Sequence, residues 1–177
     1  MHIPSFLLNN HYNDRYFDVV NAIHESKQVF LKGTELLEKI RTSNTSPQQI
    51  IIGETGFGPG RNVVSLIDYF NESGLQNIRI HYNTVELHPL TSDKMKEILE
   101  CFGNAFRNTT SQLLDNYSQI DISVPGWHRI SINCTFGMIL LNLWIGEALE
   151  MVNNLIEPCD AWFLDGHGPK TNPMMWR

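Results

Sequence analysis

Apolar residues recur along this chain with two periods, and the alternation between them predicts the fold. A β-branched run at Ile50, Ile51 and Ile52 reads as a buried strand ending at Gly53. Beyond a glycine-rich turn, Val63, Val64, Ile67 and Phe70 return at helical spacing and predict a helix over 61–70. Residues 71–77 break that helix, and 78–85 predict a second strand. Met95, Ile98, Leu99 and Phe102 fall at i, i+3, i+4 and i+7, behind Thr91, Ser92 or Asp93 as the cap. Residues 108–119 are polar and allow a further short helix. Residues 127–133 and 138–145 predict a hairpin turning near Thr135, Phe136 and Gly137. A short helix over 147–156, a strand over 161–164 and a Gly/Pro loop over 166–173 complete the pattern. Upstream, 28–31 reads as a short strand-like run. Thr34 is placed to cap a helix carrying Leu36, Leu37 and Ile40, and 42–49 is a polar turn.

Strands alternating with helices imply a parallel α/β sheet with helices on both faces. Ligands bind such sheets beyond the carboxyl ends of the strands, where the strand order reverses. Four acids fall there: Glu54 after the first strand, Glu86 ending the second, Glu147 after the 141–145 run, and Asp165 ending the last. Trp144 and Trp162 are expected to fill the core, and Trp176 to lie near the site.

The first turn carries the most information. It reads Glu54-x-Gly56-Phe57-Gly58-x-Gly60. Glycines let the chain turn tightly and let a ligand lie against bare backbone. A dinucleotide fingerprint has its third glycine one residue later, which disfavours a nicotinamide oxidoreductase. The spacing resembles the S-adenosylmethionine loop of class I methyltransferases. Glu86 is then placed to accept ribose hydroxyls and Glu147 to accept an adenine amino group. Glu54 is placed to orient the methionine amino group. Each has a plainer reading as a strand-end or helix-start acid. Asp165 is the catalytic candidate. An amine acceptor is mostly protonated at neutral pH, and a carboxylate can hold the ammonium or take its proton. The same Asp165-Gly166 pair is also an ordinary turn starter. His167 is a candidate wall of the acceptor pocket.

With 177 residues, 42% hydrophobic and 18% charged, the chain is long enough for one domain with a real core. The net charge of −6 argues against a strongly basic nucleic-acid binder but leaves room for a local tRNA-binding face. No apolar run is long enough to span a membrane, and residues 1–10 carry no secretory signal. Cys101, Cys134 and Cys159 are widely spaced, and the seven histidines show no ligand spacing. A reducing cytoplasm and no metal site are expected.

Further blocks carry a resemblance to a known family: Val85-Glu86-Leu87-His88-Pro89-Leu90, Leu143-Trp144-Ile145-Gly146-Glu147-Ala148, and Asp160-Ala161-Trp162-Phe163-Leu164-Asp165-Gly166 followed by Asn172-Pro173-Met174-Met175-Trp176. With the glycine loop, and with the entry segments 13–17 and 25–31, they resemble the MnmC-type methyltransferase domain in order and over nearly the whole chain. The resemblance implies a Rossmann-like class I domain over 1–177, with 1–49 as entry segment and 50–177 as core. It implies methyl transfer from S-adenosylmethionine to the primary amine of 5-aminomethyl-2-thiouridine at the tRNA wobble position. Glu54, Gly56, Phe57, Gly58, Gly60, Glu86 and Glu147 would hold the cofactor, and Asp165 would stand at the acceptor. Two-domain members carry a flavin-dependent oxidoreductase domain, which nothing in this sequence resembles.

Three departures stand out. Pro59 replaces the usual Thr and removes a backbone N–H from the loop. Arg61-Asn62 replaces Leu-Asn. His167-Gly168 stands where Phe-Ala is usual. The last strands of the full methyltransferase sheet are also expected to be lacking. That leaves 161–164 as an apolar edge inviting self-association or a partner that completes the sheet. The alternative is a catalytically inactive adenosyl-binding or protein-interaction module.

Overall fold

The computed structural model describes residues 7–18, 21–42 and 48–176. Most of the expected polar turn over 42–49 lies outside the described residues. The chain opens with a two-stranded ribbon, β1 (Leu8–Asn9) and β2 (Asp14–Arg15), followed by α1 (Ala22–Ser26) and α2 (Leu36–Thr42). A larger sheet is built from β3 (Gln48–Thr55), β4 (Ile78–Glu86), β5 (Gly126–Cys134), β6 (Gly137–Ile145) and β7 (Ala161–Leu164). Between its strands run α3 (Arg61–Glu72), α4 (Ser92–Leu99), α5 (Arg107–Tyr117) and α6 (Ala148–Asn153).

The sheet order is β5-β6-β4-β3-β7. β3 pairs in parallel with β4 and β7, β4 pairs in parallel with β6, and β5 returns antiparallel on β6 as the expected hairpin. The chain therefore moves outward from β3 through β4 to β6, then jumps back to β7 on the other side of β3. That reversal opens a crevice beyond the carboxyl ends of β3 and β7. It also sends the α6 crossover to the face opposite α3, because such crossovers are right-handed.

Paired residues across neighbouring strands share a sheet face. One face carries Ile50, Ile52, Ile80, Tyr82, Ile139, Leu141, Leu143, Ala161 and Phe163. It packs on Val63, Val64, Ile67 and Phe70 of α3, with Leu113 and Tyr117 of α5, in one continuous core. The other face carries Arg79, His81, Leu140, Trp144 and Trp162, none of which joins that core. Trp144 and Trp162 are half-buried there, contrary to the expectation that they fill the core. The Trp162 ring lies flat against Gly53, where a Cβ would come within 2.6 Å of it. The short α6 is all the helix that the right-handed crossover places on this side.

Local chemistry explains the helix boundaries. Thr91 caps α4 by accepting from the Lys94 N–H, as expected. Thr34 does not cap α2; its hydroxyl donates back to the Phe30 carbonyl and closes the preceding turn. The expected strand-like run over 28–31 is instead a π-helical turn, Lys27–Lys32, continuing α1, with the Gly33 N–H bonded to the Gln28 carbonyl. A short apolar run does not decide between strand and buried helix. Here the helix sends Leu31 fully into the core and sets Phe30 5.2 Å from Phe163. The outer edge of β7 has no strand partner among the described residues, and Leu164 there is 57% exposed.

Candidate active site

The three loop glycines between β3 and α3 all have positive φ, at 87°, 52° and 79° for Gly56, Gly58 and Gly60. L side chains rarely adopt this conformation. The loop is packed as well as strained. A Cβ on Gly56 would meet the Gly166 Cα at 3.1 Å and the Asp165 carbonyl at 3.2 Å. A Cβ on Gly60 would come within 2.7 Å of Leu113. Gly60→Ala is therefore expected to cost about 2–4 kcal/mol of stability, combining backbone strain and overpacking. An unshifted urea midpoint would contradict this.

Close packing brings the loop against Asp165. Around both lies a cleft of about 180 Å³. Its wall includes Gly56, Phe57, Gly58, Glu86, Glu147 and Asp165. Gly60 lies behind the wall as the left-handed residue that starts α3. Phe57 is almost wholly buried and stacks on Tyr117 at 5.8 Å, so it props the loop from inside.

Glu86 is held at both oxygens. The Gly58 N–H donates to Oε2 and the His88 N–H to Oε1, each at 2.9 Å. A carboxylate has about four acceptor positions, so each oxygen keeps one for a ligand. The loop N–H groups are used internally, Phe57 to the Val85 carbonyl and Gly60 to the Phe57 carbonyl. Pro59 therefore replaces no hydrogen bond that this loop visibly depends on; the glycines serve close approach. Glu147 starts α6 with its side chain exposed beside the cleft.

Glu54 departs from the expected arrangement. It is 1% exposed and stands behind the cleft wall, accepting from Thr84 Oγ1 at 2.6 Å and Asn62 Nδ2 at 2.7 Å. Burial pushes its carboxyl up to about 8, against the lowering effect of those two bonds. It connects to the cleft through Asn62, whose amide also donates to Asp165 Oδ2 at 2.7 Å. The Asn62 carbonyl oxygen is fixed by the Ser26 hydroxyl at 2.6 Å. Asp165 is 28% exposed and meets Arg61 Nη2 at 2.5 Å.

The entry segment closes the cleft, which the apolar pattern does not foretell. His167 is held between Asn9 at 3.1 Å and Asp14 at 3.2 Å, with Tyr12 4.6 Å away by ring centroid. The Trp176 indole donates to the His167 carbonyl at 2.8 Å. Burial, reinforced by Glu86, pushes the Tyr16 hydroxyl up to about 12, so it stays protonated. Arg61 and Asn62 are the residues that sequence reasoning passed over. Their only signal was the Leu-to-Arg departure at the helix start.

The chain is similar to known proteins over nearly its whole length. Residues 104–177 match the model of a family described as S-adenosyl-L-methionine-dependent methyltransferase. The tRNA 5-methylaminomethyl-2-thiouridine biosynthesis bifunctional protein MnmC of Stutzerimonas stutzeri is 34% identical over 169 residues, covering 96% of this chain and 24% of that protein. Its counterpart in Pseudomonas putida is 36% identical over 169 residues, covering 95% of this chain and 25% of its own length. These likenesses support an MnmC-type methyltransferase domain. The chain spans 24–25% of the length of these curated relatives. The crystal structure of MNMC2 from Aquifex aeolicus superposes with a TM-score of 0.67 at 21% identity, covering 96% of this chain and 48% of that one. This likeness shows an α/β Rossmann-like fold. No helix among the chain's described residues is long and apolar enough to cross a membrane.

Proposed function

We propose that this methyltransferase domain transfers a methyl group from S-adenosylmethionine to the primary amine of 5-aminomethyl-2-thiouridine at the wobble position of tRNA, in the cytoplasm. The relatives' names specify a methylaminomethyl product. Removing one methyl group from that product leaves a primary amine as acceptor. The observation that carries the reading is the close packing of the Gly56 loop against Asp165. It brings a bare glycine loop and a carboxylate to one cleft, which supports reading them as an adenosyl cradle and a proton acceptor.

The residues fit the cofactor. Gly56 and Gly58 keep the cradle free of side chains, and Glu86 and Glu147 supply acceptors for hydroxyl and amino groups. When bound, S-adenosylmethionine supplies a sulfonium methyl carbon, to which the amine lone pair bonds as the carbon–sulfur bond breaks and its electron pair stays on sulfur. Asp165 holds the acceptor nitrogen and takes or relays the proton that leaves it. Asn62 fixes Asp165 from below, so much of the rate enhancement would come from positioning.

Calorimetric titration of S-adenosylmethionine tests the cradle. Glu86→Ala is expected to weaken binding by about 10- to 100-fold, since it removes a charged acceptor and frees the Gly58 N–H. Wild-type affinity in that variant would remove Glu86 from the site. Incubation of the wild-type protein with tRNA bearing the unmethylated amine tests the acceptor. No methylated nucleoside on mass spectrometry would remove the tRNA reading.

A further inference from the structure

Arg61 and Asp165 stand in the wall between two spaces. One is the cofactor cleft; the other is an open groove bordered by Asn21, His24, Glu25 and Gln28. The Arg61 side chain is only 9% exposed. Its Nη2 meets Asp165 Oδ2 at 2.5 Å, and its Nη1 lies 3.8 Å from Glu25 Oε2. The guanidinium sits over the Phe17 ring at 5.8 Å. Asn62 holds the same Asp165 oxygen independently, so the carboxylate keeps its place whatever Arg61 does.

We infer that Arg61 is a positioning residue that acts through Asp165 to make the site select the unprotonated form of its amine acceptor. The inference rests on the amine-acceptor reading above. An amine that reaches Asp165 comes within a few ångströms of a fixed guanidinium. A like charge at such range disfavours the arriving ammonium and offsets the pull of the Asp165 carboxylate toward the charged form. The cation already on Asp165 also leaves the carboxylate with little need of a second one. A neutral amine keeps its lone pair for methylation, so the pairing does part of the deprotonation before chemistry begins. Remove the guanidinium, and the bare carboxylate favours an ammonium instead.

Other ionisable groups face the pair. Glu25 and His24 approach from α1, Tyr12, Asp14 and Tyr16 from the entry segment, Glu54 and Tyr82 from beneath, Glu86 and Glu147 from across the cleft and His167 from the loop after β7. Arg15 borders the groove and lies 3.5 Å from Asp18. All are present in every Arg61 variant, so the comparison isolates the one charge.

The test is equilibrium binding, with no turnover. The nucleoside 5-aminomethyl-2-thiouridine is titrated by calorimetry into protein saturated with S-adenosylhomocysteine, at pH 6.5 and 9.5. Wild type and Arg61→Lys are expected to bind it about tenfold or more tighter at the higher pH. Arg61→Leu is expected to bind it tighter at the lower pH, and Arg61→Gln serves in its place if the Leu variant fails to fold. The same pH dependence with and without the positive charge would overturn the role of Arg61 and leave the acceptor reading standing. No binding to any of the proteins at either pH would overturn both.

Discussion

Asp165→Asn is expected to slow methyl transfer by about 10²- to 10⁴-fold while S-adenosylmethionine still binds. Asparagine keeps the size of the side chain and an oxygen that Arg61 and Asn62 can still bond. It cannot take a proton or pair with a charge. Alanine is the poorer test, because it removes the oxygen that both Arg61 and Asn62 bond and leaves the nearly buried guanidinium with Glu25 alone, 3.8 Å away. Single-turnover rates on tRNA carrying the unmethylated amine separate this step from product release. A wild-type rate in the Asn variant would mean that water alone takes the proton and that Asp165 serves only to hold Arg61.

The second large effect concerns stability and pH. Glu54 titrates near 8 in the folded protein, because burial disfavours its charged form, and near 4.5 when exposed. Below the lower value both states are protonated, and the group costs nothing. Between the two values the unfolded chain releases its proton while the folded protein keeps it, so stability falls as pH rises. Above the upper value the loss is complete, on the order of 3–5 kcal/mol. Glu54→Gln removes this dependence and keeps an acceptor for Asn62. The difference in unfolding free energy between the variant and wild type should therefore grow in the variant's favour from pH 5 to pH 8. A difference that stays constant over that range would place the Glu54 carboxylate in a solvated setting. The same variant leaves Asp165 and Asn62 in place, so its cofactor affinity should stay close to wild type.

Much of this protein is legible in its sequence because its elements are strongly periodic. The run at Ile50–Ile52 and the Val63, Val64, Ile67, Phe70 stripe announce their strand and helix; Ile50, Ile52 and the stripe are buried where expected, and Ile51 is half-buried on the other sheet face. The loop glycines are legible for a different reason: alternate glycines after a buried strand are costly unless the backbone needs them. The weak elements failed where periodicity is weak. The run over 28–31 has no period long enough to separate strand from helix, and the packing of Leu31 and Phe30 decided for the helix. Trp144 and Trp162 are large apolar residues expected in the core. Strand register placed them on the opposite sheet face.

The acids show the same division. That Glu54, Glu86, Glu147 and Asp165 end up at one end of the sheet follows from their positions at strand ends, which the sequence determined by itself. Which of them faces the cleft was decided by the tertiary structure. Side chains alternate across a strand, so Glu54 shares the buried face with Tyr82, Thr84 and Phe163. It sinks behind the wall; Glu86 lies on the same face but two residues further along β4 than the Thr84 that pairs with Glu54, and so stays at the rim. The Arg61–Asp165 pair joins residues 104 positions apart. Local pattern carries no information on such a contact. It exists because β7 returns beside β3, and because the glycine loop is bare enough for the two segments to close on each other.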